Sequence, residues 1–168
     1  MSITIVGVDP GSRITGFGVV RVHNGKIEHV NHGVILLGGD HPFPQRMTEL
    51  GLGFQEVMEK YQPQHVVIEK IFLGKNADSA FKLGHARGVI MCEAGRGKAS
   101  VQEYATRSVK KGITGNGGSS KEEVQVMLKM MLNIKTINRI DASDALAMAC
   151  YYAFEMKKES VLKRAVEL

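Results

Sequence analysis

Two stretches of the chain carry almost no polar alternation: Ile3-Thr4-Ile5-Val6-Gly7-Val8 and Val66-Val67-Ile68. Apolar runs of this kind are strands covered on both faces. Each is closed by an acid, Asp9 and Glu69 respectively. Ligand sites in open α/β sheets gather just beyond the carboxyl ends of strands, so both acids are predicted to stand where a site forms. Residues 15–22 are rich in β-formers and meet a second run, 26–37, across His23-Asn24-Gly25. Asn-Gly between two such runs predicts a hairpin. Asp9-Pro10-Gly11-Ser12 predicts a tight turn, with Pro presetting φ and Gly supplying a permissive backbone. The first three strands are therefore expected to be antiparallel neighbours.

The period then changes. Phe43, Met47, Leu50, Phe54, Val57 and Tyr61 recur at steps of three and four, which predicts an amphipathic helix closed by Pro63. After the strand ending at Glu69, a second helix is expected over 77–94, its start marked by Asn76 and Asp78. Ala80, Gly84 and Gly88 recur every four residues along it. Glycine in a helix interior costs about 1 kcal/mol relative to alanine, so this narrow face needs a packing reason, either close contact with the sheet or a dimer interface. Residues 100–103 predict a short fifth strand, and 107–121 a basic, glycine-rich connection. Ser120 and Glu123 form a capping box for a helix carrying Val124, Met127, Leu128 and Met131. A final helix is expected over 141–156, followed by a charged, solvated tail, 157–168. The order βββ-α-β-α-β-α-α implies an α/β fold with one five-stranded mixed sheet and helices on both faces. Residues 1–156 are read as a single domain.

Length and composition restrict what such a domain can do. A chain of 168 residues buries about 70% of its unfolded surface, enough for a core without disulfides or structural metal. Lys plus Arg exceed Asp plus Glu by 22 to 17, a net charge of +5, which favours a polyanionic partner. Cys92 and Cys150 lack metal-type spacing and read as buried free thiols of a reducing compartment. The start of the chain lacks the basic flank and long apolar run of a signal peptide, and no segment reaches membrane-spanning length. A cytoplasmic location with no membrane association is expected.

Asp141-Ala142-Ser143-Asp144 adds two acids, three residues apart and hence on one helix face. At a helix N-terminus the dipole offsets part of their repulsion. A right-handed crossover through the 43–61 helix would make the first strand and the Glu69 strand parallel neighbours, setting Asp9 beside Glu69. Two carboxylates ~5 Å apart at an effective dielectric of ~20 repel by about 3 kcal/mol, a conflict that a hard cation removes. Mg²⁺ prefers carboxylate and water oxygens together with substrate phosphates. Two ions about 4 Å apart would suit phosphodiester hydrolysis, one activating water and the other stabilising the leaving oxygen. No His joins the acids, which argues against zinc. Each acid alone has a plainer reading: Asp9 as a turn former, Glu69 as a strand-end surface acid, Asp141 and Asp144 as helix caps.

Gly7-Val8-Asp9-Pro10-Gly11-Ser12-Arg13, followed by Thr15-Gly16-Phe17-Gly18, resembles the opening of the RuvC family of Holliday junction resolvases. Three further blocks resemble its remaining signatures, in order: Val67-Ile68-Glu69-Lys70-Ile71-Phe72; Asn76-Ala77-Asp78-Ser79-Ala80 with Lys82-Leu83-Gly84-His85-Ala86-Arg87-Gly88; and Asp141-Ala142-Ser143-Asp144-Ala145-Leu146-Ala147. The resemblance implies a ribonuclease H-like fold and carries the catalytic, metal-ligand role onto Asp9, Glu69, Asp141 and Asp144. The family's pattern varies at the position of Asp141, where some members carry His. Phe72 falls at a position associated with interrupting base stacking at the junction centre, where an aromatic can either stack on an exposed base or fold back onto the core. Lys110 and Lys121 fall at basic positions associated with the scissile phosphate. They belong to a stretch with Arg107 and Lys111 that holds four cations and no acid, and Arg13 and Lys75 complete the candidate DNA contacts. Gly112-Ile113-Thr114-Gly115-Asn116-Gly117-Gly118 lacks the Gly-Lys-Ser/Thr ending of a P-loop and reads as a flexible loop facing DNA.

The function these features imply is paired, Mg²⁺-dependent nicking of opposed strands of a four-way DNA junction. Two ions per subunit are expected, with Mn²⁺ able to substitute, leaving 5′-phosphate and 3′-hydroxyl ends in recombination and repair. The junction's near-twofold symmetry matches a homodimer, and the resemblance implies cooperation with the RuvA and RuvB branch-migration proteins. Three other readings compete. Another ribonuclease H-like nuclease would cut hybrids or linear duplexes, and a non-catalytic module would bind branched DNA without cutting. Asp9-Pro10-Gly11-Ser12 also resembles the Asp-x-Gly phosphate loop of actin-like ATPases, but those need two related lobes and this chain has room for one.

Overall fold

The computed structural model describes residues 2–70 and 77–166. β1 (Ser2–Asp9) is the central strand of a five-stranded sheet. β2 (Ile14–His23) and β3 (Lys26–Leu36) extend it antiparallel on one side, and β4 (His65–Glu69) and β5 (Ser100–Tyr104) extend it parallel on the other. The order β3-β2-β1-β4-β5 is the expected mixed sheet. The hairpin between β2 and β3 turns on Asn24 and Gly25 at φ 49° and 74°, the positive values that a tight two-residue turn demands.

Alternation along β1 divides the interior into two layers. Val6 and Val8 face one way, with Val66 and Ile68 of β4, onto Leu50, Phe54 and Met58 of α1 (Phe43–Tyr61) and Ala86 and Ile90 of α2 (Ala77–Arg96). Ile5 and Val67 face the other way, onto three helices. These are α3 (Thr106–Thr114), α4 (Lys121–Leu132) and α5 (Ile140–Val166). α1 ends as expected: Gln62 at φ 43° caps it, its N–H donating to the Met58 carbonyl, and Pro63 follows. The Ser120–Glu123 capping box is formed in both directions, Glu123 N–H to Ser120 Oγ at 3.1 Å and Ser120 N–H to Glu123 Oε2 at 2.7 Å.

Three expectations need correction. The stretch 107–121 is not a flexible connection, since most of it is α3, which buries Val109 and Ile113 one turn apart. The segment after α3 is a fixed turn: Gly115 caps the helix at φ 83°, and Thr114 Oγ1 accepts from Asn116 N–H and pairs with Ser119 Oγ at 2.8 Å. The last helix does not stop at Met156 but continues to Val166, its surface exposed over 157–163. Finally, Cys150 is buried, its thiol pushed up to about 12 by desolvation, whereas Cys92 is exposed. Among the described residues no helix is long and apolar enough to cross a membrane.

Candidate active site

Asp9 is the last residue of β1 and follows Ile5 and Gly7 on the α5 side of the sheet. β4 runs parallel to β1 with Val8 opposite Ile68, so one further step along the register brings Asp9 level with Glu69. Glu69 points to the same layer as Val67. What sets the distance to the final helix is the absence of side chains beneath it. A Cβ on Gly7 would lie 2.0 Å from the Ala145 carbonyl oxygen, one on Gly18 2.4 Å from Leu146 Cα, and one on Gly16 2.0 Å from the Asp141 carbonyl oxygen. Gly7 and Gly18 are paired across β1 and β2, and Gly16 is paired with Asp9. The three form a bare strip on which the α5 backbone rests, and the start of α5 is thereby laid over the end of β1.

Asp9, Glu69 and Asp144 line one cavity of about 150 Å³, together with Thr106, Lys110 and Lys121. Asp141 does not line it, although its charge reaches Asp9. Desolvation, reinforced by the charges of Asp144, Glu69 and Asp141 against the opposing pull of Lys121, raises the Asp9 carboxyl from 3.8 to about 7. Burial and the Asp144 charge also raise Glu69, with Lys121 and Arg87 opposing. Lys121 is the internal counter-charge. Its Nζ lies 2.5 Å from Asp144 Oδ2, and that hydrogen bond holds its ammonium above the ordinary lysine range.

The surrounding contacts hold these groups in place. Thr106 donates to Glu69 Oε1, and Arg87 donates to the Glu69 carbonyl while pairing with Glu103. Lys110 Nζ donates to the Ser119 carbonyl at 2.7 Å. The turn beyond Asp9 is braced by Gly11 and the Thr15 hydroxyl, which exchange hydrogen bonds of 3.1 Å, and by an Arg46 contact of 2.5 Å to the Ser12 carbonyl. Arg13 in that turn is exposed, as are Arg107 and Lys111, one turn apart on the outer face of α3. Phe72 and Lys75 lie outside the described residues. Sequence reasoning missed Thr106, Arg87, Arg46 and the glycine strip. The motif Gly7…Gly16-Phe17-Gly18 held the only available hint of that strip.

Among the described residues no three acids, histidines or cysteines already form a cage that could hold an ion. The donor set nevertheless suits a hard divalent cation: the lining acids are carboxylates with no His or Cys beside them, and Asp9 is desolvated and repelled by the others in the way such a cation relieves. The family model described as "Crossover junction endodeoxyribonuclease RuvC" matches residues 5–152. The chain belongs to the RuvC family. A RuvC of that description from Bdellovibrio bacteriovorus is 78% identical over 168 residues, covering 100% of both chains. The solved structure of Thermus thermophilus RuvC in complex with a Holliday junction substrate superposes with a TM-score of 0.86 at 28% identity, covering 94% of this chain and 96% of that one. The yeast mitochondrial Holliday junction resolvase Ydc2, at 12% identity and a TM-score of 0.65, covers 89% of this chain and 77% of its own, and shares the fold. The ribonuclease H-like architecture expected from the motifs is therefore the one observed, and nucleases of the RuvC family depend on divalent metal.

Proposed function

We propose that this chain resolves four-way DNA junctions by paired, metal-dependent hydrolysis of phosphodiesters in opposed strands, leaving 5′-phosphate and 3′-hydroxyl ends. The observation that carries this reading is the meeting, in a RuvC-family chain, of Asp9, Glu69 and Asp144 in one cavity beside Lys110 and Lys121. These acids come from β1, β4 and α5. In this reading they hold Mg²⁺, with Asp141 as a further ligand at the rim, and two ions per subunit occupy the site. When bound, Mg²⁺ supplies charge neutralisation among the acids and polarisation of the scissile phosphate. Lys110 and Lys121 hold the phosphate against the site. Lys121, paired with Asp144 in the free protein, exchanges that partner for DNA.

Arg13, Arg107 and Lys111, all exposed, follow the backbone of the arms by charge alone. Phe72 is assigned to the junction centre on the family motif, and Lys75 is kept as a further DNA contact. The working unit is a homodimer. Gly84 and Gly88 have no atom within 4 Å of a built Cβ, so packing on the sheet does not account for their spacing, and Phe81 beside them is 68% exposed. A second copy of α2 fits that face. Cooperation with RuvA and RuvB, a cytoplasmic location and a nuclease unit spanning 1–156 complete the reading.

The test compares a labelled four-way junction with a matched linear duplex in Mg²⁺, Ca²⁺ or chelator. Paired nicks in the junction alone, with Mg²⁺ alone, are expected. Asp144→Asn is expected to lower cleavage by about a hundred- to a thousandfold, the scale on which transition-state charge stabilisation is lost, while junction binding in Ca²⁺ persists. Equal cutting of the linear duplex would point instead to a general nuclease of this fold.

A further inference from the structure

Glu69 is held from two directions. Arg87 fixes its main chain through the backbone carbonyl, while the carboxylate is engaged separately by the hydroxyl of Thr106, donating to Oε1. Thr106 is the first residue of α3, two positions beyond Tyr104, the β5 residue paired with Glu69. Its presence is not explained by the helix. Threonine stabilises a helix start when it stands at the N-cap and accepts from the first turn. Here the N-cap is Ala105, and α3 has no side-chain cap at all. Within a helix threonine is a poorer former than alanine. The single hydroxyl proton of Thr106 is given to Glu69 instead, and β-branching restricts the rotamers from which it is given. Thr106 also lines the same cavity as Asp9, Glu69 and Asp144.

A carboxylate whose plane is already fixed loses less freedom on binding a cation than one that rotates. We propose that Thr106 is a positioning residue for the divalent-cation site, setting the Glu69 carboxylate in its ion-binding orientation through the hydroxyl. This inference rests on the reading of Asp9, Glu69 and Asp144 as cation ligands.

The experiment measures Mn²⁺ binding calorimetrically on the full chain without DNA, for wild type, Thr106→Val, Thr106→Ser and Asp9→Asn. Partners of metal ligands typically change metal affinity by roughly 10–100-fold. Thr106→Val, which keeps the shape and removes the hydroxyl, is therefore expected to weaken Mn²⁺ about tenfold or more, and Thr106→Ser to stay within about threefold of wild type. Junction affinity in chelator is expected to be equal for wild type, Thr106→Val and Thr106→Ser. Should Thr106→Val fail to fold, Thr106→Ala carries the same expectation. Wild-type affinity in the hydroxyl-free variant overturns the inference. So does an equal loss in Thr106→Val and Thr106→Ser, or a loss that follows melting temperature rather than the hydroxyl. Asp9→Asn separates the two levels: if it abolishes Mn²⁺ binding and Thr106→Val leaves it unchanged, only the role of Thr106 falls. If Asp9→Asn itself leaves Mn²⁺ binding unchanged, the ligand reading falls and the Thr106 inference with it.

Discussion

Asp9 ends a strand buried on both faces, and desolvation, reinforced by the charges of three other acids, pushes its carboxyl up from the usual 3.8 to about 7. Between those values the folded protein holds a proton that the unfolded chain has already released. Stability contributed by this group is complete below the unfolded value and is lost as pH rises through the folded one. Glu69 is raised as well, so it acts in the same direction. In chelator, the melting temperature is therefore expected to fall as pH rises from about 4 to about 7. Asp9→Asn removes the ionisable group at nearly constant shape. At neutral pH it is expected to stabilise the metal-free protein by about 1–3 kcal/mol, discounted from the full linkage value for relaxation and screening, and to flatten that pH dependence. Cleavage is expected to disappear. A lower melting temperature in Asp9→Asn at pH 7.5 would show that the carboxylate is not a strained group. At this scale the acids were legible from sequence because each stands at the edge of an unambiguous element, a strand end or a helix start. The Thr106 contact was not legible, because it depends on α3 starting where β5 has delivered Thr106 beside Glu69.

α3 and α5 show why elements were less evenly readable. α3 contains Gly112 and ends in Thr114, both poor helix formers, and it buries only Val109 and Ile113. Tertiary contact overrides propensity there: a Cβ on Gly112 would lie 2.3 Å from the Tyr151 ring of α5, so the glycine that weakens the helix is the one that lets it dock. The strands and α1 were plain because their periods run long enough to be unambiguous and their ends carry turn residues. The docking of α5 on the sheet left no periodic signal, since it depends on what Gly7, Gly16 and Gly18 lack. That dependence predicts a contrast. Gly18→Ala sets a methyl against Leu146 Cα, backbone that cannot yield without lifting α5. It is expected to cost about 1–3 kcal/mol or more, the usual range for overpacking, and to weaken Mn²⁺ binding together with stability. Gly84→Ala meets nothing within 4 Å and is expected to stabilise the monomer by about 0.5–1 kcal/mol through helix propensity. Chemical denaturation of both variants under monomeric conditions measures the opposite signs. Equal destabilisation would remove the bare-strip account of the α5 contact.

At the scale of the whole molecule, the cavity and the open face of α2 lie on different layers, the α3–α4–α5 side and the α1–α2 side. A dimer formed through α2 would therefore leave both cavities uncovered. Twofold pairing then fixes the separation and direction of the two sites, and a four-way junction, itself nearly twofold, presents two opposed strands to them. Gly84→Glu tests this division of labour. The exposed position tolerates a larger side chain in the monomer, whereas a carboxylate brought against its own copy across a twofold axis meets a like charge and a bulk that close helix contact excludes. Sedimentation is expected to show a dimer for wild type and a monomer for Gly84→Glu, with Mn²⁺ affinity per chain unchanged. Cleavage is expected to change in kind as well as amount. The junction would be nicked once and released, so that nicks in opposed strands become uncorrelated on a supercoiled cruciform plasmid, where a first nick relaxes the substrate before a second, independent enzyme can act. Salt dependence supplies the second readout. Halving the number of bound chains removes roughly half of the phosphate contacts, and the slope of log affinity against log salt is expected to fall in proportion. A Gly84→Glu protein that stays dimeric would move the dimer contact off α2, and one that is monomeric yet still nicks both strands together would show that two paired sites are not required.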